Sequence, residues 1–110
     1  MTWDEYQRAA QRTINKNLNR LEIVRHAVFG LASEAGEVAS LFQKELQGHA
    51  IEIEHLEKEA GDCLWMLAEL CTAYGLKLED VAKKNIDKLL KRYPNGFDAE
   101  RSLHRKAGDV

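Results

Sequence analysis

Two short segments carry paired acids, Glu34-Ala35-Gly36-Glu37 and Glu59-Ala60-Gly61-Asp62. Each sets two carboxylates at i and i+3, which share one face of a helix. From Ala27 to Phe42 the only charged residues are Glu34 and Glu37. At ~100° per residue, Glu34 falls inside the apolar sector, between Val38 and Leu41, and Glu37 falls at its edge. In the second segment Glu59 lies between Met66 and Leu70, and Asp62 lies at the edge between Met66 and Trp65. A solvated acidic face would lie opposite the apolar stripe. An ionised carboxylate turned toward a core is costly unless it is paired or bound to metal. Lys58 lies on the outer side of Asp62, and the first two helices offer no buried cation. A hard divalent cation fits, because Mg²⁺ takes carboxylate oxygens and completes its shell with water and phosphate.

The elements that must position these acids are four helices followed by a polar tail. Thr2 and Glu5 form a capping-box pattern that opens a helix running to about Asn17. The second helix runs from about Leu21 to Gln47, with Leu21, Val24, Val28, Leu31, Ala35, Val38 and Phe42 at helical spacing. Gly48 suits a left-handed terminus for it. The third runs from about Ile51 to Tyr74, with Leu56, Cys63, Leu67, Leu70 and Tyr74 on its stripe, and Gly75 closes it. The fourth starts near Leu78, carries Glu79 and Asp80 in its first turn, and ends at Pro94. Asn95-Gly96 marks a turn, and one short helix is compatible with residues 97–110. No strand-like alternation bounded by turns occurs. Short loops make successive helices antiparallel neighbours. The predicted fold is therefore all-α, a four-helix antiparallel bundle forming a single domain over 1–110, with its helical core at about 2–94.

This arrangement brings the acid pairs level. Glu37 precedes Gly48 by roughly 16 Å of helix, and Glu59 follows the start of the third helix by roughly 12 Å. Gly36 and Gly61 each cost about 1 kcal/mol in a helix interior relative to Ala. A close backbone approach, or room for a ligand, would account for that cost. Two surface acid pairs of chance similarity are the plain alternative, and a lone E-x-x-E means nothing. Two pairs in apolar contexts at matching depth are far more specific. A di-iron bundle would use two Glu-x-x-His pairs. Glu52-x-x-His55 matches once, near a helix start where a solvated His is ordinary, and no second copy exists.

Composition narrows the partners. The 110 residues hold 16 Lys and Arg against 18 Asp and Glu, a net charge of -2, so no basic excess points to a nucleic-acid polymer. No run of roughly 18 apolar residues is present to span a membrane, and Met1 to Asn15 is not a signal peptide. Cys63 and Cys71, roughly 12 Å apart along one helix, are too distant to bridge. They read as reduced thiols of a cytoplasmic protein. So short a chain gains from burial between subunits.

The runs Gly30-Leu31-Ala32-Ser33-Glu34-Ala35-Gly36-Glu37-Val38, Glu59-Ala60-Gly61-Asp62-Cys63-Leu64-Trp65 and Asn85-Ile86-Asp87-Lys88-Leu89-Leu90-Lys91-Arg92-Tyr93-Pro94-Asn95-Gly96-Phe97 resemble the MazG-like nucleotide pyrophosphohydrolases. The resemblance covers residues 20 to 97, and all four acids of the E-x-x-E, spacer, E-x-x-D signature are present. Met66 stands where an aromatic residue is more usual. The resemblance implies an all-α domain assembling as a homodimer or homotetramer. It implies Mg²⁺, with Mn²⁺ as a substitute, held by Glu34, Glu37, Glu59 and Asp62. It also implies cleavage of a nucleoside triphosphate between the α and β phosphates to a monophosphate and pyrophosphate. The superfamily includes dUTPases, dCTP pyrophosphatases and the phosphoribosyl-ATP pyrophosphohydrolase. The last usually shows a His soon after its motif Asp, whereas this chain reads Leu64-Trp65-Met66-Leu67.

An anionic substrate calls for cations. Asn85, Lys88 and Arg92 lie at i, i+3 and i+7 on one face of the fourth helix, and the resemblance places the Asn and Lys at the site. Asn85 falls within that helix's apolar sector, between Val81 and Leu89, where a buried amide needs partners. A solvated face for Lys88 and Arg92, and a structural hydrogen bond for Asn85, remain open alternatives. Trp65, one turn beyond Asp62, is placed either to stack on a base or to fill a core or dimer interface. Lys44 and His26 read as ordinary solvated residues. In the expected mechanism the metal lowers the pKa of a water, and one carboxylate, with Glu34 the candidate, takes its proton. Lys88 or Arg92 helps hold the leaving charge. The competing reading is a helical regulatory module that binds nucleotide without turnover.

Overall fold

A computed structural model describes residues 1–110 as five helices with no strand. They form two compact units, residues 1–78 and 79–110.

In the first unit α1 (Trp3–Gln11) opens with the expected capping box. The Glu5 N–H donates to Thr2 Oγ1 at 3.1 Å, and the Thr2 N–H donates to Glu5 Oε2 at 3.3 Å. The helix stops at Gln11, short of Asn17. Side chains there offer the backbone other partners: the Thr13 hydroxyl donates to the Ala10 carbonyl at 2.6 Å, and Asn15 Oδ1 accepts from the Asn17 N–H at 3.0 Å.

A second capping box, Asn19 with Glu22, starts α2 (Arg20–Leu46). At its end Gly48 adopts φ 99°, and the N–H groups of Gly48 and His49 donate to the carbonyls of Glu45 and Lys44. The same left-handed stop closes α3 (Ile53–Ala73), where Gly75 has φ 65° and the N–H groups of Gly75 and Leu76 donate to Thr72 and Cys71. These bonds satisfy carbonyls that a helix end otherwise orphans.

α2 and α3 form an antiparallel hairpin whose register is readable rung by rung. Arg20 Nε donates to the Ala73 carbonyl at 2.8 Å, and its guanidinium lies over the Tyr74 ring. His26 Nδ1 meets Glu69 Oε1 at 2.7 Å. Gly30 faces Met66, and Glu34 stands level with Glu59 and Asp62. α1 packs on α3. There Gln7 Nε2 donates to the Leu76 carbonyl at 2.8 Å and to Thr72 Oγ1 at 3.2 Å, while Gln7 Oε1 accepts from the Leu78 N–H at 2.8 Å. This one side chain ties α1 to the turn after α3.

The buried core is small: Ala27, Leu41, Met66, Ala68, Cys71 and Leu78, with Glu69 as its one buried charge. The apolar pattern of α2 divides in two. Ala27 and Leu41 are buried, and Val24, Leu31 and Val38 half-buried. Leu21, Val28, Ala35 and Phe42, seven residues apart, are exposed. Both cysteines are free.

The second unit contains most of α4 (Leu78–Arg92), which stops two residues before Pro94, and a short α5 (Ala99–Leu103). Asp98 caps α5, accepting from the N–H groups of Glu100 and Arg101. No helix is long and apolar enough to cross a membrane.

Candidate metal centre

Glu34 projects from the line of α2 that faces α3, the line that also carries Ala27 and Leu41 at seven-residue spacing. Glu59 and Asp62 project toward it from α3. One carboxylate oxygen from each of Glu34, Glu59 and Asp62 lies within 4.8 Å of the other two, and all three residues are half-buried. Glu37 is about 60° further round the helix. It is exposed and outside this triad. Yet its charge, like those of Asp62 and Glu59, adds to the loss of hydration that raises the Glu34 pKa above the usual carboxylate value. The helical wheel ranks Glu37 and Asp62 alike, as edge residues. The antiparallel partner separates them, turning Asp62 inward and leaving Glu37 on the rim.

No lysine or arginine pairs with any of the four acids. Lys58 bonds to Glu54 at 3.3 Å on the exposed side. Three converging carboxylates with no cation among them form an all-oxygen donor set of the kind a hard divalent ion takes. The residues therefore fit a magnesium-type ion, and would bind it more weakly once Glu34 is protonated.

Two neighbours of the cluster carry little sequence signal. His55 Nε2 lies 3.1 Å from Glu59 Oε1, one helical turn away. The His55-x-x-x-Glu59 spacing is visible in the chain, but many such pairs are solvated. Tyr6 arrives from α1, and its phenol pKa is raised by burial and then by the Asp62 charge. Nothing in the local pattern around Tyr6 points to α3.

Gly36 and Gly61 flank open space, since a Cβ built on either meets no atom within 4 Å. Close backbone approach within the chain is thus not their reason. Gly30 is the glycine in close contact, against the Met66 side chain.

Trp65 is half-buried, and its indole N–H donates to Thr13 Oγ1 at 2.8 Å. His26 is engaged with buried Glu69 rather than being a plain solvated residue. Lys44 is exposed.

In the second unit Asn85 is exposed, as are Val81 and Leu89 beside it, so the expected buried amide is not found. The apolar sector of α4 is itself largely uncovered, which removes the premise of that expectation. Lys88 is half-buried. The Arg92 guanidinium makes a two-pronged bond to Asp109, at 2.9 and 2.7 Å.

Comparison with known proteins adds two findings. The MazG nucleotide pyrophosphohydrolase domain matches residues 25–97, a span that includes all four acids and Asn85, Lys88 and Arg92. The chain is also similar to the Gene 37 protein of Mycobacterium phage L5, at 30% identity over 102 residues, covering 84% of this chain and 90% of that protein. No solved structure matches.

Proposed function

Since the chain belongs to the MazG nucleotide pyrophosphohydrolase domain family, we propose that it hydrolyses nucleoside triphosphates between the α and β phosphates, releasing pyrophosphate in a magnesium-dependent reaction. The observation that carries this reading is the triad of Glu34, Glu59 and Asp62, half-buried and without a lysine or arginine partner. These three would hold Mg²⁺, or Mn²⁺ in its place, with Glu37 completing the set from the rim. When bound, the ion supplies positive charge to phosphate oxygens and acidifies a water.

The chain's own groups do the rest. Glu34, with its raised pKa, takes the proton of the water that attacks the α phosphorus, as the bond to the β phosphate breaks. A base whose pKa moves toward the working pH is the better proton acceptor. His55 holds Glu59 in its ligating orientation. Asn85 and Lys88 complement substrate phosphates, while Arg92 reaches an anion only by loosening its hold on Asp109.

The reading includes a homodimer or homotetramer. Leu21, Val28, Phe42 and Leu46 lie along one exposed side of α2, and a chain that buries so few large side chains gains most from covering such a stripe. Light scattering on the eluted protein reads the mass directly.

The decisive assay measures pyrophosphate released from canonical and modified dNTPs with Mg²⁺ or with EDTA. Turnover that survives unchanged in Glu34→Gln and Asp62→Asn sinks the assignment. Tight nucleotide binding with no pyrophosphate release would instead make the chain a binding module.

A further inference from the structure

The second unit carries an open cleft of about 630 Å³ that owes nothing to the acid cluster. Its size lies within the ~300–1,000 Å³ range usual for small-molecule sites. One wall is α4, from which Lys84, Lys88 and Lys91 project at i, i+4 and i+7. The other is the C-terminal segment, which contributes Arg101, Arg105 and Lys106. None of these six cations has an ion-pair partner; the lysine and arginine pairs of the chain are those of Lys58, Lys83 and Arg92.

The acids in the lining are Asp87 and Asp109, and Asp109 is consumed by Arg92. That bond is well shielded, with the two side chains 9% and 17% exposed. It clips the segment onto α4. Gly108, at φ 84°, and the Asp109 N–H bond to the Lys106 carbonyl turn the chain back to make it. The Asp109 carboxyl is held below its usual range, first by its bonds to Arg92 and also by the charges of Arg105 and Lys88. The two walls therefore place their cations in one shared field.

We propose that this cavity is a binding site for a compact ligand bearing two or more phosphates. Six unpaired lysines and arginines gathered around a concavity, against the one unengaged acid Asp87, match the charge and donor geometry of phosphate oxygens. The limited volume of the cleft, with its second wall fastened by the Arg92–Asp109 clip, suits a small molecule. The ligand is either the polyphosphate end of the substrate or a separate nucleotide, and the chemistry is shared.

The test uses the full chain in EDTA, so that no metal ion at the acid cluster can hold the ligand. Tripolyphosphate is titrated in by calorimetry at two salt concentrations. The expected result is one site per chain, weakened by salt, and at least about tenfold weaker in the double variant Arg105→Gln, Lys106→Gln. Arg105→Lys with Lys106 intact should keep most of the binding. Absence of binding, equal binding by the double variant, or preference for a single-stranded oligonucleotide overturns the proposal.

Hydrolysis kinetics with Mg²⁺ then separate the sources. A raised KM in the double variant identifies the ligand as the substrate's own phosphates. Lost tripolyphosphate binding with unchanged kinetics identifies a second phosphate ligand. Should the wild-type chain release no pyrophosphate yet bind tripolyphosphate through Arg105 and Lys106, the cavity proposal stands while the hydrolase reading falls.

Discussion

Replacing Gly36 and Gly61 by alanine should stabilise the protein and leave the reaction intact. Both lie in helix interiors, and a Cβ at either meets no atom within 4 Å. Nothing within the chain offsets the gain in helix propensity, about 0.8–1.0 kcal/mol for each exchange. For a small domain that corresponds to roughly 4–8 °C in Tm per kcal/mol. Gly30→Ala is the internal contrast. Its methyl would overlap the sulfur of Met66 and lie 3.1 Å from the Met66 Cγ, and Met66 is 2% exposed with little room to move. Overpacking of this kind costs about 1–3 kcal/mol, which cancels or outweighs the same propensity gain. Thermal unfolding in EDTA at fixed protein concentration should therefore rank both Gly36→Ala and Gly61→Ala above wild type and Gly30→Ala at or below it. Under saturating Mg²⁺, the two stabilised variants should keep kcat/KM, because each glycine lies about 200° round its helix from Glu34 or Glu59 and its methyl points away from the acid cluster into open space. A wild-type or lower Tm for Gly36→Ala and Gly61→Ala would refute the packing argument. A raised Tm with lost activity would refute the placement of both glycines on the side of their helices away from the acids.

Three further outcomes are expected. The Glu34 pKa is raised by lost hydration and by Asp62, Glu59 and Glu37, so the folded chain holds that proton more tightly than the unfolded one. The stability it confers is present in acid and lost as pH rises through the raised value. Melts in EDTA should show this loss, Glu34→Gln should reduce it, and Mg²⁺ should restore Tm at neutral pH; wild type and variant with identical pH profiles would count against it. His55→Ala should weaken Mg²⁺ binding about 10–100-fold by freeing Glu59, with His55→Gln recovering part of it by calorimetry, whereas equal affinity would leave His55 a surface residue. Gln7→Met should cost about 1–3 kcal/mol in urea unfolding, because it strands the N–H of buried Leu78, and an unchanged midpoint would mean that water replaces the bond.

The helices were legible where one local pattern decides them. Thr2 with Glu5, Gly48, Gly75 and the stretch before Pro94 mark their termini through bonds that involve only near neighbours. The break after Gln11 was less legible, because the apolar pattern runs on through Ile14 while Thr13, Asn15 and Asn19 draw the backbone into local bonds. Three of the four acids could be brought together from helix depth alone, since an antiparallel hairpin leaves their heights little freedom. What a wheel for one helix cannot show is which edge the partner covers. That is why Glu37 and Asp62 looked equivalent, and why the exposed line of Leu21, Val28, Ala35 and Phe42 merged with the buried one. Contacts made across long stretches of chain, Tyr6 toward Asp62 or Gln7 to Leu78, leave no periodic trace.

Net charge conceals how charge is distributed along the chain. A net charge of -2 argues against a polyanionic partner only if charge is evenly spread. Residues 1–78 carry twelve acids against eight lysines and arginines, and residues 79–110 carry six against eight. Three acids of the first unit converge on a site suited to a cation, while six cations of the second line an open cleft suited to an anion. A triphosphate with its magnesium is one ligand that presents both charges. If binding at the two units is coupled, polyphosphate and Mg²⁺ should each bind more tightly in the presence of the other than alone. Coupling of this kind is reciprocal by thermodynamic necessity. If the cavity takes a separate ligand, the two affinities can vary independently, and titrating tripolyphosphate with and without Mg²⁺ against Arg105→Gln, Lys106→Gln decides between the two arrangements.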